Sequence, residues 1–211
     1  MKKLFLSALF GFAGMLFASA QSFEGTIEFR ELRPTDTINR IYYVKGDNIR
    51  IDEIGSKSKK VEGTYLIDLK TGKFVALSYD RKLYIEQSSG IPGATTEKFD
   101  VKKTGKEKTL QGMKCTEYVV TNADDKVQIT YWMASGKFDF FFKLLKVLNR
   151  KDKSSVYIQQ LTGVDGMFPF LSKQVNLDTK VEITLEVTKI EKKTIDASKF
   201  EIPKDFTKFQ K

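Results

Sequence analysis

Alternation of period two limits what this chain can fold into more than any other feature. Val181, Ile183, Leu185 and Val187 interleave with Glu182, Thr184, Glu186 and Thr188. Successive strand side chains point to opposite faces, so this segment is a strand with one apolar and one polar side. The same rhythm starts at Phe23, where Phe23, Gly25, Ile27 and Phe29 oppose Glu24, Thr26, Glu28 and Arg30. A sheet built from such strands has one wet face, and something must cover the other.

Short polar connections join these strands. Ile38, Tyr42 and Val44 lead into Lys45-Gly46-Asp47-Asn48, and Ile49 and Ile51 follow. Tyr65, Ile67 and Leu69 reach Lys70-Thr71-Gly72-Lys73, and Phe74, Ala76 and Ser78 leave it. Tyr79-Asp80-Arg81-Lys82 turns into Leu83 and Ile85. Gly, Asp and Asn at these positions supply hairpin turns, so the first part is an antiparallel meander. Ser88 to Glu97 reads as a loop. Strands resume at Phe99–Lys103, Met113–Thr121 and Val127–Met133, with a turn at Asn122–Asp125. Counting the alternating segments predicts about nine to eleven strands. A meander this long either closes into a barrel or curls around an insert. The tail, with Phe200, Ile202 and Phe206, reads as extended chain packed along an edge.

The first twenty residues are an address. Lys2 and Lys3 precede an apolar run from Leu4 to Phe17, and Ala18-Ser19-Ala20 offers a small-x-small cleavage site. The run is shorter than the roughly 20 apolar residues of a spanning helix. The expectation is a cleaved signal peptide, residues 1–20, cut between Ala20 and Gln21. One domain, residues 21–211, then works in the periplasm or is secreted. Gln21 stands where a bacterial lipoprotein carries its lipidated cysteine, so the mature protein is expected to be soluble.

The formal charge of +9 would point to nucleic acid in a cytosolic protein. Export argues against that partner. The lysine clusters at 57–60, 102–108 and 189–193 lie in or beside predicted turns, where charge faces water. Contact with an anionic membrane surface is their other reading. Cys115 is the single cysteine, so no intramolecular disulfide and no thiolate metal cluster can form. It reads as a small buried hydrophobe.

One stretch breaks the strand rhythm. "SGKFDFFFKLLKVLNR", residues 135–150, has helical composition and crowds four phenylalanines together. A helix over Lys137–Arg150 gathers Asp139, Lys143 and Lys146 on one narrow side. The apolar residues between Phe138 and Leu148 spread over about 220°, far wider than the roughly 100° stripe of a surface helix. One flat sheet cannot cover such a face. Either the helix lies in the concavity of a strongly curved sheet as part of a filled core, or part of it borders a cavity holding an apolar ligand. The cavity candidates are Phe138, Phe141, Phe142, Leu145 and Leu148, with Tyr131 and Met133 on the preceding strand. A second helix is expected around Ser154–Leu161.

"FEGTIEF" near the mature start, "LQGMKCTEYVV" before a turn and "DASKFEIPKDF" near the end resemble an uncharacterised family of Bacteroidota envelope proteins. That family looks related to LolA/LolB-type lipoprotein carriers. The resemblance implies a mainly β, α+β fold: a strongly curved antiparallel sheet, or unclosed barrel, with plug helices at its mouth. It also implies an apolar cavity, with Lys137–Arg150 as a plug helix. The expected partners are a lipid, an acyl chain or a lipoprotein, with peripheral membrane contact.

Catalysis is poorly served by this composition. The chain has no histidine, so Ser-His-Asp and Cys-His arrangements cannot exist. No phosphate-cradling or dinucleotide glycine motif occurs, and Asp124-Asp125 reads as turn chemistry. The sequence reading is therefore a non-enzyme without metal or cofactor. It either binds an apolar ligand or serves the envelope as a ligand-free structural or interaction protein.

Overall fold

A computed structural model describes residues 22–88 and 97–210. Residues 1–20, read from the sequence as a signal peptide, Gln21 and nearly all of the 88–97 loop lie outside the described residues. The first hairpins run β1 Gly25–Leu32, β2 Thr37–Lys45, β3 Asn48–Ile54, β4 Val61–Asp68, β5 Lys73–Ser78 and β6 Leu83–Ser88. Then come β7 Asp100–Leu110, β8 Met113–Asn122 and β9 Val127–Ser135. Two helices follow, α1 Phe140–Leu148 and α2 Lys153–Ile158, before β10 Met167–Asn176, β11 Glu182–Lys192 and the short β12 Thr207–Lys208.

All twelve join one sheet in the order β12-β6-β5-β4-β3-β2-β1-β11-β10-β9-β8-β7. The sheet is strongly curved and unclosed, as expected. Every pairing is antiparallel except β12 on β6. The chain makes two meanders, and β11 stitches the second to β1 of the first.

The count exceeds the sequence expectation because two strands were not legible. β10 contains Met167-Phe168-Pro169-Phe170-Leu171, a continuous apolar run that hides period two. Pro169 cannot donate to a ladder, and a central strand tolerates it only at an irregularity. The register between β10 and β9 shifts there, between Pro169 and Leu171. Phe168 and Phe170 are both buried. β12 is only two residues long, too short to show a pattern.

The concave face holds the main core. Ile27, Val44, Ile49, Ile51, Val120, Ile129 and Met133 are fully buried there. Against them lies α1, which buries Phe140, Phe141, Leu144, Leu145 and Val147 and leaves Lys143 and Lys146 exposed. The helix is shorter than the predicted 137–150. Lys137 takes a positive φ of 58°, and the Phe138 amide donates to the Gly166 carbonyl at 3.0 Å instead of entering a helix. Asn149 closes the other end with φ 44° and donates its amide to the Leu145 carbonyl. In α2 the Asp152 carboxylate caps the Ser155 amide at 3.0 Å.

A smaller core sits on the opposite face. Asp52, Thr64 and Leu77 are directly opposed across β3, β4 and β5, and all three are buried. The C-terminal segment straps across this face. The Arg50 guanidinium donates to the Lys199 carbonyl at 3.1 Å and to the Asp52 carboxylate at 2.7 Å. Ile195 is buried, and Phe206 packs edge-on to Tyr79 at 5.3 Å. The sequence reading has the tail along a sheet edge; instead it crosses this face through a 3-10 turn at Ala197–Phe200, and only β12 pairs with β6 at the edge.

The lysines at 57, 59 and 60 are exposed in a turn. Lys102, Lys103, Lys106 and Lys108 lie along the edge strand β7, not in a turn. Charge on an edge strand opposes pairing with other chains. Lys108 is half-buried over the Trp132 ring at 4.0 Å.

Candidate functional site

The concave face is not completely filled. A cavity of about 320 Å³ lies between the sheet and the helices. Its floor follows from strand register. Tyr131 of β9 faces Ser172 of β10, Ser172 faces Leu185 of β11, and Leu185 faces Glu31 of β1. Phe29 and Arg40 form the neighbouring cross-strand pair. The roof is α1, through Phe141, Leu144, Leu145 and Leu148, with Ile158 of α2 beside it. Ile183 and Leu185 belong to the apolar side of their strand yet stay half-exposed, because they face this space.

The elements holding the roof are well anchored. The Tyr131 hydroxyl donates to the Ser154 carbonyl at 2.8 Å, tying the start of α2 to β9. Asp125 accepts from the Tyr157 hydroxyl and from Lys153, both at 2.7 Å. These hydrogen bonds hold the Asp125 carboxyl below its ordinary range. The Asp125 amide also donates to the Asn122 side chain at 3.0 Å, so this pair's neighbourhood is turn chemistry as read from the sequence.

Polarity changes abruptly at the mouth. Glu31, Arg33, Arg40, Arg150, Asp152 and Lys153 surround it. Glu31 accepts from Arg33 at 2.6 Å and from Arg40 at 3.0 Å, and Arg40 also reaches Glu53 at 3.0 Å. Burial pushes the Glu31 carboxyl up, but the hydrogen bonds from Arg33 and Arg40 outweigh it and hold the group below its usual range. Tyr42 also lines the cavity. Burial raises its phenol above the ordinary value, against the opposing fields of Arg150 and Arg40.

Of the residues proposed from the sequence, Tyr131, Phe141, Leu145 and Leu148 line this cavity. Phe138, Phe142 and Met133 do not. Phe138 precedes the helix and is 1% exposed in an aromatic cluster with Phe23, Phe168 and Phe170, at ring distances of 5.1, 5.4 and 6.0 Å. Met133 is fully buried in the filled core. Phe142 is half-buried and stacks edge-on against Phe141 at 5.3 Å. The filled and hollow readings of the phenylalanine stretch therefore both describe part of it.

The charged rim was missed, although the sequence carries its signal. Glu31 and Arg33 are the next two positions on the inward face that begins Phe23, Gly25, Ile27, Phe29. A polar residue continuing an inward series marks where a strand leaves its core.

A second hollow, more open, lies near Ser22 and Glu24 with Lys137, Lys192 and Lys193 around it. Among the described residues no three metal-ligating side chains converge. No described helix is long and apolar enough to cross a membrane.

A conserved uncharacterised protein from Thermus thermophilus is similar in fold, with a TM-score of 0.56 at 11% identity. The likeness covers 90% of this chain and 91% of that one. A putative outer membrane lipoprotein-sorting protein domain from Vibrio parahaemolyticus is similar at a TM-score of 0.35 and 11% identity, over 83% of this chain and 87% of that one. The Thermus likeness, at this identity, speaks to the fold alone. No curated protein matches the chain. The profile of the family described as a domain of unknown function, DUF4412, matches residues 23–206, and the chain belongs to that family.

Proposed function

We propose that this protein holds an apolar group, such as one acyl chain, in the cavity beneath α1, and carries or senses it in the cell envelope. The observation that supports this reading is the unfilled apolar space under Phe141, Leu144, Leu145 and Leu148. Its volume of about 320 Å³ stands at the lower end of the ~300–1,000 Å³ usual for small-molecule sites. The leader-like residues 1–20 and the resemblance to Bacteroidota envelope proteins support export to the periplasm. On this reading the protein is not an enzyme, and its partners are a lipid, acyl chain or lipoprotein and, peripherally, a membrane.

Entry needs motion of the roof, but only a little. Five buried α1 side chains at about 1.5–3 kcal/mol each stabilise docking by roughly 8–15 kcal/mol, so the helix does not leave the sheet. The cavity already meets solvent at its charged rim, where Arg33 and Lys153 are 47% and 38% exposed.

Native mass spectrometry of protein isolated from its own envelope, followed by organic extraction, tests the reading. A co-purifying chain is expected, and Leu145→Asp should abolish its binding. Absence of any lipid, with no fluorescent fatty acid bound at micromolar concentration, would leave the ligand-free structural or interaction role.

A further inference from the structure

Resting on that reading, we infer that the cavity selects a single-chain amphiphile with an anionic head, whose charged end is received by Arg150 and the Tyr42 hydroxyl. The size of the space sets the chain. At ~30 Å³ for a water-sized group, about 320 Å³ has room for about ten such groups. That is the bulk of one acyl chain of similar carbon number, and too little for two.

The rim sets the head. Its other cations are already engaged: Arg33 with Glu31, Arg40 with Glu31 and Glu53, and Lys153 with Asp125. Asp152, the remaining carboxylate at the mouth, accepts from the backbone amide and the hydroxyl of Ser155 at 3.0 and 2.9 Å. Arg150 is different. It directly follows the left-handed Asn149 that ends α1, and it lies at the mouth, half-buried. No described carboxylate lies within ion-pair distance of it. A partly desolvated guanidinium without a partner is unfavourable, and an anion there would offset that cost.

Tyr42 supplies the second donor. Its ring packs edge-on to Phe29 at 4.6 Å on the cavity wall. Its hydroxyl makes no hydrogen bond to another described residue, and it lies within the field of both Arg150 and Asp152. A phenol held neutral and a guanidinium together offer charge-assisted donors to one oxyanion. A carboxylate or a phosphate would satisfy them equally. The apolar chain would then run inward from the rim, past Leu148 and Leu145 toward Phe141.

Displacement of a neutral fluorescent naphthylamine probe by decanoate, decyl phosphate and decanol separates the possibilities. At least one of the two anions should bind about tenfold or more tightly than decanol. Arg150→Gln should remove that preference by weakening the favoured anion about tenfold, with circular dichroism confirming the fold. Tyr42→Phe should weaken the preference in the same direction. Preference for decanoate identifies a free fatty acid, and preference for decyl phosphate a lysophospholipid-like head. Equal binding of alcohol and anions, or an unchanged preference in Arg150→Gln, overturns the inference and leaves the apolar reading standing. Failure of all three to displace the probe, or of the probe itself to bind, overturns both.

Discussion

Truncating Phe138 and truncating Phe142 should have very different consequences, although the two rings lie four residues apart in one phenylalanine-rich run. Phe138 is 1% exposed, and its ring touches four others: Phe23, Phe140, Phe168 and Phe170. Buried Phe→Ala substitutions cost about 3–5 kcal/mol. Aromatic pairs contribute roughly 0.5–1.5 kcal/mol beyond burial, so Phe138→Ala should lie clear of the lower end of that range, at about 4 kcal/mol. At about 2–4 °C per kcal/mol for a domain this size, the melting temperature should fall by roughly 8–16 °C. Phe142 is half-buried with one ring partner, so Phe142→Ala should cost about 1–2 kcal/mol. Urea unfolding with a common slope for all variants measures both. A Phe138→Ala cost below about 2 kcal/mol, or equal costs at the two positions, would refute the division of this run into core and periphery.

Other outcomes follow from particular contacts. The folded-state pKa of Glu31 is lowered, so its stabilisation is present above the ordinary value near 4.3 and lost as pH falls through the lower folded value. Urea midpoints between pH 5 and pH 3 should therefore drop more steeply in the wild type than in Glu31→Gln, and parallel curves would contradict the Arg33–Glu31–Arg40 account. Cys115 is fully buried opposite Ala134, and burial pushes its thiol up. A thiol reagent should therefore label it only after unfolding, while Cys115→Ala should cost about 1–2 kcal/mol. Deleting residues 195–211 removes Ile195 and Phe206 from the second core and should cost about 3–5 kcal/mol by lost burial. An unchanged urea midpoint would show that the strap is not part of the folded unit.

The sequence made some elements readable and hid others for identifiable reasons. β1, β9 and β11 show clean alternation because each has one wet and one packed face. β10 does not, since its apolar run and Pro169 belong to a bulged central strand packed among phenylalanines. β7 runs on to Leu110 past Lys103, where the register slips around Gly105 and breaks the rhythm. The helix was legible in composition but not in extent, because the Gly136 and Phe138 amides are held by a distant carbonyl, that of Gly166. Four of the seven proposed cavity residues line the space. The other three show that an over-wide apolar arc cannot by itself say which part is packed. Arg150 and Arg40 come to one rim from segments far apart in sequence, and only the fold brings them together.

What occupies the space beneath α1 decides between a ligand carrier and a ligand-free protein. A crystal of the protein with a fatty acid brominated at its methyl end would answer this through the anomalous signal of bromine. The expected peak lies inside the cavity, between Phe141 of α1 and the β9–β10 floor at Tyr131 and Ser172, with the carboxylate beside Arg150. A peak only on the outer surface, or a cavity closed by its own side chains, would contradict the carrier reading.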